Sequence, residues 1–495
     1  MKTSLVFAGL TLLGFKAIAA GPALTIYNQN FAVVRDTVPL DLKEGVNEVR
    51  FADMTATAET DSVILRDPTG KVKLQVLDQS YRNDPVSQEL LLTLNEGKTI
   101  DFVVHEASKP DHIVQGKIIR AGHEGMQYAQ RAYSNSYGRV IQIQRPQTTP
   151  IIEVDGKLQF SLPGEPIFPS LGDDTILNPT LSWKLDSSKA AKLDAEIAYI
   201  TDGLSWHADY NLVVPENGDT LDIVGWVTFD NQSGKTFRDA KIKLMAGDVN
   251  RLEKVEMEDR LQMVQTAAQA AQAQDAVTEK AFSEFHLYTI DRPTTLRDQE
   301  TKQVEFIHAQ GVKSPRIFVY DGASENYDGY QPVTGDEEYG IPTNKKVWVL
   351  REFKNSKENH LGMPLPKGRL RFYQQDDDKQ LEFIGENEID HTPKDETIRV
   401  YVGNSFDLTG ERKRTEYHVD RGNHTVDETF EIKLRNHKKE PVEIRAVEHL
   451  SRYDNWKLDK KDDEFTKLDS HTIEFRVKLN PDEEQVITYK VHYTW

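Results

Sequence analysis

The stretch DGLSWHADYNL, Asp202 to Leu212, decides how this chain is read. Ser205, His207 and Asp209 stand at every second position. Gly203-Leu204-Ser205-Trp206-His207 comes within one residue of a G-x-S-x-G elbow. A nucleophile elbow needs glycine on both sides of its serine and a strand-to-helix turn. Here His207 replaces the second glycine, and more strand-like text follows. A catalytic triad needs side chains that converge, usually from separate elements. Residues two apart on a strand share one face, roughly 6.5–7 Å apart, and point in parallel. The opposite face, Leu204, Trp206, Ala208 and Tyr210, is what a core wants. The stretch is therefore read as a half-buried β-strand, and no catalytic residue is assigned.

Outward from that strand, short β-like runs recur along the chain, and the last hundred residues form a clean period-two unit, in which Phe430, Ile432 and Leu434 alternate. Ile473, Phe475, Val477 and Leu479 alternate, as do Ile487, Tyr489, Val491, Tyr493 and Trp495. The expected fold class is mainly β: several β-sandwich and small β-barrel domains in tandem, with one short helical insertion. The expected divisions are a signal peptide over 1–20, an N-terminal β domain over 21–85 and a barrel-like domain over 86–160. A proline-rich linker follows over 161–176. A β-sandwich domain is expected over 177–395, and a C-terminal β-sandwich domain over 396–495. Short runs such as Leu91–Leu94, Thr99–His105 and His112–Arg120, punctuated by glycines, suggest the barrel. The helical insertion is placed at 253–285, a stretch rich in Ala, Gln and Glu with no glycine or proline.

Composition limits function. Lys2, the apolar stretch Ser4–Phe15 and the small residues Ala17-Ile18-Ala19 form a secretory signal pattern. The chain is expected in the periplasm or outside the cell. No later segment approaches the ~20 apolar residues of a transmembrane helix, so no integral membrane segment is expected after cleavage. With no cysteine there is no disulfide, thiol nucleophile or thiolate metal site. The formal charge of −19 becomes −21 without Lys2 and Lys16, a field that disfavours nucleic acid.

The remaining motifs are weak. Gly97-Lys98-Thr99 and Gly234-Lys235-Thr236 echo a P-loop but lack its upstream glycine. Neither His105-Glu106 nor His123-Glu124 continues to a second histidine at the zincin spacing. Asp376–Asp378 and Asp459–Glu464 are read as solvated acidic turns, without the alternating ligands of a calcium loop. No metal site and no cofactor are expected. One loop stands out, Tyr320 to Gly340, which sets four tyrosines among Asp, Glu, Gly and Asn. Tyrosine with small polar residues makes adaptable contact surfaces. Tyr327, Tyr330, Asp321 and Asp328 are the binding residues this reading selects.

Several stretches together carry a resemblance. They are DGLSWHADYNLVV, GWVTFDNQSGKTFRDAKIKLMAGDVNR, EFHLYTIDRPTTLRDQETKQVEFI, NSKENHLGMPLPKGRLRFYQ, IRVYVGNSFDLTGERKRTEYH and EIKLRNHKKEPVEIRAVEHL. In order and spacing they resemble the bacterial domain of unknown function 4139, which also forms the C-terminal part of mucoidy-inhibitor-A-like proteins. The match runs over roughly 177–495. The N-terminal region resembles secreted members without the long coiled coil. The resemblance implies fold and compartment and supplies no catalytic residues. Two functions stay open. One is a non-enzymatic envelope protein that binds or scaffolds a protein or glycan partner. The other is a hydrolase of envelope glycan or peptide, using carboxylates that spacing alone cannot pair.

Overall fold

The computed structural model describes residues 21–105, 110–122, 127–130, 141–144, 149–171, 175–215, 218–247, 249–251, 277–282, 285–323, 337–341, 343–461 and 464–495. It is mainly β, in several separate open sheets. The described residues form two compact units. One lies within 1–205, 229–263 and 289–302, the other within 206–228, 264–288 and 303–495.

The strands begin with β1 (Ala23–Tyr27), β2 (Phe31–Leu42), β3 (Gly45–Phe51), β4 (Ile64–Arg66) and β5 (Leu74–Arg82). After helix α1 (Gln88–Leu94) come β6 (Thr99–Val104), β7 (His112–Arg120), β8 (Gln127–Gln130), β9 (Ile141–Gln144), β10 (Ile151–Val154), β11 (Lys157–Gln159) and β12 (Glu165–Ile167). Longer strands follow: β13 (Thr180–Ser187), β14 (Ala191–Asp202), β15 (Leu204–Val214), β16 (Thr220–Asn231) and β17 (Phe237–Ala246). Next are β18 (Val277–Phe282), β19 (Phe285–Ile290), β20 (Thr294–Leu296), β21 (Glu300–Lys313), β22 (Arg316–Asp321), β23 (Lys346–Lys354), β24 (Gly368–Gln375) and β25 (Leu381–Ile389). The last are β26 (Thr397–Asp420), β27 (Thr425–Asn436), β28 (Val442–His449), β29 (Asn455–Lys461), β30 (Phe465–Lys467), β31 (Thr472–Leu479) and β32 (Glu484–Thr494).

The expected barrel is an open sheet in the order β11-β10-β7-β6-β12, and the run at Leu91–Leu94 is the end of α1. A four-residue apolar run does not distinguish strand from helix. The decisive signal was Ser87, whose Oγ accepts from Leu90 N and caps the helix. Leu92 of α1 packs with Ile100, Phe102, Ile118 and Ile152 of the sheet. Of the helix expected over 253–285, residues 277–282 form strand β18 and β19 begins at Phe285; 252–276 lie outside the described residues.

The opening stretch is strand β15. Leu204, Trp206, Ala208, Tyr210 and Leu212 are all buried. In its sheet, ordered β21-β16-β15-β24-β25, Tyr210 donates to Pro366 O at 2.7 Å and packs edge-on against Phe306. Tyr288 packs 6.3 Å from Trp206 and donates to Pro364 O. The MPLP stretch thus supplies carbonyls that two buried phenols require.

One strand order occurs twice. β1 pairs antiparallel with β2 and parallel with β17; β22 pairs antiparallel with β23 and parallel with β28. β2 pairs with β14 as β23 pairs with the first half of β26. β17 pairs with β20 as β28 pairs with β31. β16 lies between β15 and β21 as β27 lies between β26 and β32. Each copy turns on a fully buried asparagine. Asn231 Nδ2 donates to Lys235 O, Leu296 O and Arg297 O, and its Oδ1 accepts from Ser233 N. Asn436 Nδ2 donates to Glu440 O, Leu479 O and Asn480 O, and its Oδ1 accepts from Lys438 N. One amide satisfies carbonyls from two chain reversals that would otherwise be buried unpaired.

The strand reading makes a direct forecast. Trp206→Ala should cost about 3–5 kcal/mol, the usual effect of emptying a large buried aromatic site. Ser205→Ala should stay within ~0.5 kcal/mol of the parent. Urea denaturation of both variants checks this, and labelling of Ser205 by a serine-directed fluorophosphonate would contradict it.

Candidate functional site

Strand β26 switches partners midway, leaving β23 and pairing onward with β27 from Leu408 to Asp420. Its inward positions there are Leu408, Gly410, Arg412 and Arg414. Gly410 is obligatory, because a Cβ would lie 2.2 Å from the Tyr320 ring. Arg412 and Arg414 then place two guanidiniums where aliphatic side chains would ordinarily pack. They are satisfied by carboxylates that break the apolar alternation of two other strands. On β27, Glu428 interrupts Val426, Phe430, Ile432 and Leu434; on β28, Glu448 follows Ile444 and Ala446.

The pairs are close and dry. Arg412 Nε lies 2.9 Å from both Glu448 oxygens, and Tyr489 Oη donates to Glu448 Oε2 at 2.5 Å. The Arg412 guanidinium stacks 4.0 Å over Phe430. Burial works against its charge, but Glu448 and Tyr489 beside it raise its proton affinity above the ordinary value. Glu428 accepts from Arg452 Nε and Nη2 at 3.0 Å and from Arg414 Nη1 at 2.9 Å. The side chains of Arg412, Arg452, Glu428 and Glu448 are at most 4% exposed.

The same arginines reach one chain segment. Arg412 Nη1 donates to Gly340 O and Arg414 Nη1 to Glu337 O, both at 2.6 Å; Arg452 Nη2 donates to Tyr339 O at 2.9 Å. The Tyr339 ring lies 4.9 Å from the Arg452 guanidinium. This segment is the C-terminal foot of the tyrosine-rich loop. The other foot is tied as firmly. Asn344 Nδ2 donates to Asp321 O, and Tyr320 Oη donates to Asn344 O. Asp321 Oδ2 lies 2.9 Å from His449 Nε2, and its Oδ1 accepts from Ala323 N. Among the residues selected from sequence, Asp321 is thus buried and committed to His449. Tyr327, Tyr330 and Asp328 lie outside the described residues.

The family model described as Domain of unknown function (DUF4139) matches residues 195–495, more than half of the chain. The chain belongs to this family. No curated protein matches it. The matched region contains all of the arginine–glutamate network.

Other polar groups in this DUF4139 protein are less enclosed. His207 Nε2 lies 3.2 Å from Asp209 Oδ2, so these alternate strand neighbours do meet, contrary to the parallel arrangement expected of them. Asp209 also accepts from Thr228 Oγ1 on β16 and pairs with Arg371 on β24. Asp427, Asp459 and His492, on three neighbouring strands, bring possible metal-ligand atoms within 4.8 Å of one another. Lysines already hold both acids, Lys490 at Asp427 and Lys457 at Asp459. Asp459 falls on β29, whereas Asp376–Asp378 form the expected turn, between β24 and β25. A cleft of 340 Å³ is lined by Lys313, Pro315, Phe353 and Asn359, and one of 210 Å³ by Asp219, Arg316, Glu440 and Arg445. Among the described residues, no helix is long and apolar enough to cross a membrane.

Removing Glu448 while keeping Arg412 strands a buried charge. Glu448→Gln should therefore destabilise by about 3–5 kcal/mol, and the double change to apolar residues by less. Denaturant midpoints of the two proteins test the difference.

His449 gives a pH signature. Its hydrogen bond to Asp321 lifts the imidazolium above histidine's ordinary 6.5; burial opposes this, and the charges of Asp321, Glu448 and Asp469 add to the rise. A raised folded value means that the pair stabilises fully below the unfolded value of ~6.5 and loses this as pH climbs through the folded value. NMR titration should place the His449 midpoint above that of a solvent-exposed histidine. Asp321→Asn should bring it down and remove this part of the stability–pH slope.

Proposed function

We propose that this DUF4139 protein is exported and acts as a non-enzymatic binding or scaffolding protein of the cell envelope. It engages a protein or glycan partner through the loop between Tyr320 and Gly340. The observation that carries this reading is the gripping of that loop's feet by Arg412, Arg414, Arg452, Asn344 and Tyr320. A contact loop pays less entropy on binding when its ends are already fixed. Glu428 and Glu448 are buried and taken up by arginines, which suits them to holding a loop in place. The signal pattern at the N-terminus supports export, and the tyrosine-rich composition of the loop supports recognition.

The test has two parts. Fractionation should return a mature chain beginning near Ala20 or Gly21 in the periplasm or medium. From envelope extracts, the Tyr327→Ala/Tyr330→Ala protein should capture less partner than the parent at an unchanged melting temperature. Equal capture would remove the loop from the reading. A midpoint lowered by several degrees would make the two rings core, since ~1 kcal/mol moves a midpoint by about 2–8 °C.

A further inference from the structure

Lys235, in the turn that echoes a P-loop, is only 6% exposed. Its Nζ lies 2.8 Å from Asp53 Oδ2, 2.6 Å from Asp53 O and 3.5 Å from Asp36 Oδ2. The rings of Phe51 and Phe237 flank it, with centroids 5.7 and 5.3 Å from Nζ. Asp36 is the more enclosed acid, its side chain 17% exposed against 63% for Asp53. The lysine stem, both acids and both rings belong to one compact unit. An amine held in contact with one carboxyl, beside a second carboxyl and between aromatic faces, is arranged for condensation as well as for ion pairing. The Lys235 side chain is enclosed, and a bound geometry replaces the collision that the reaction otherwise needs.

We propose that Lys235 and Asp53 are an intramolecular isopeptide site, with Asp36 as the proton carrier. The ammonium of Lys235 passes a proton to the Asp53 carboxylate, and the free Nζ lone pair attacks Asp53 Cγ. Asp36 takes a proton from the attacking nitrogen and returns it to the departing oxygen. One C–N bond forms, one C–O bond breaks and one water leaves, with no change of oxidation state and no co-reactant. The product joins the segment after β3 to the turn before β17, linking residues 182 positions apart. In a chain without cysteine, such a bond fills the place of a disulfide, constraining the unfolded chain most where the loop is long.

Mass spectrometry of the denatured mature protein tests this directly. The expected result is a mass one water below that of the sequence, with a proteolytic species joining the Asp53 and Lys235 peptides. Lys235→Arg and Asp53→Ala should each restore the full mass, and Asp36→Asn should leave the chain uncrosslinked. Full mass in the parent would overturn the proposal without recourse to any variant. A linkage to Asp36 would overturn the assigned roles.

Discussion

The nine-stranded C-terminal sheet rests on a desolvated charge pair. Arg412 and Glu448 meet inside it with Tyr489 as the third member, and Arg452 and Glu428 repeat the arrangement beside them. Neither charge can stay buried without its partner, because desolvation costs several kcal/mol per ion. Arg412–Glu448 ties β26 to β28, and Arg414–Glu428 ties β26 to β27. The network also uses the spare guanidinium N–H groups. Having no carboxylate left, they turn to the carbonyls of Glu337, Tyr339 and Gly340. Core satisfaction and loop anchoring are thus the same hydrogen-bond inventory.

The repeated strand order gives that arrangement its frame. Asn231 and Asn436 do equal work at equivalent corners, each bonding its own turn and the end of a later strand. The copies differ where chemistry is concerned. The first breaks its long strand at Gly203, with φ 78°, between β14 and β15. The second runs through as β26 and changes partner near Gly410. Past that point the first copy buries Trp206 and Tyr210, while the second buries Arg412 and stacks Arg414 on Tyr417. The same frame holds an apolar core once and a charged clamp once.

Much of this was legible in the residues. Period-two alternation identified β15, β27, β31 and β32, and the side of β15 that faces the core, because a strand has only two faces. The glutamates at 428 and 448 are visible in the sequence as interruptions of apolar alternation, the signal that marks a buried charge. The barrel and the strand at Leu91–Leu94 were misread for local reasons. A short apolar run carries no period, and the serine cap of α1 is a single atom's contact. The family resemblance placed 177–495 as one matched region, close to the 195–495 that the family model covers.

By itself the sequence determined the β class, the family, the absence of thiol chemistry and the core residues of the alternating strands, except Trp495, which lies past the end of β32 and is exposed. These follow from local periodicity and composition, which act over a few residues. Only the tertiary structure decided that Arg412 meets Glu448, that Arg452 meets Glu428, that His449 holds Asp321 and that Lys235 lies between Asp36 and Asp53. Partners 24 to 199 positions apart are joined by strand order and register. Sequence spacing carries no record of those, since any inward-facing arginine can be matched by any inward-facing acid until the sheets are assembled.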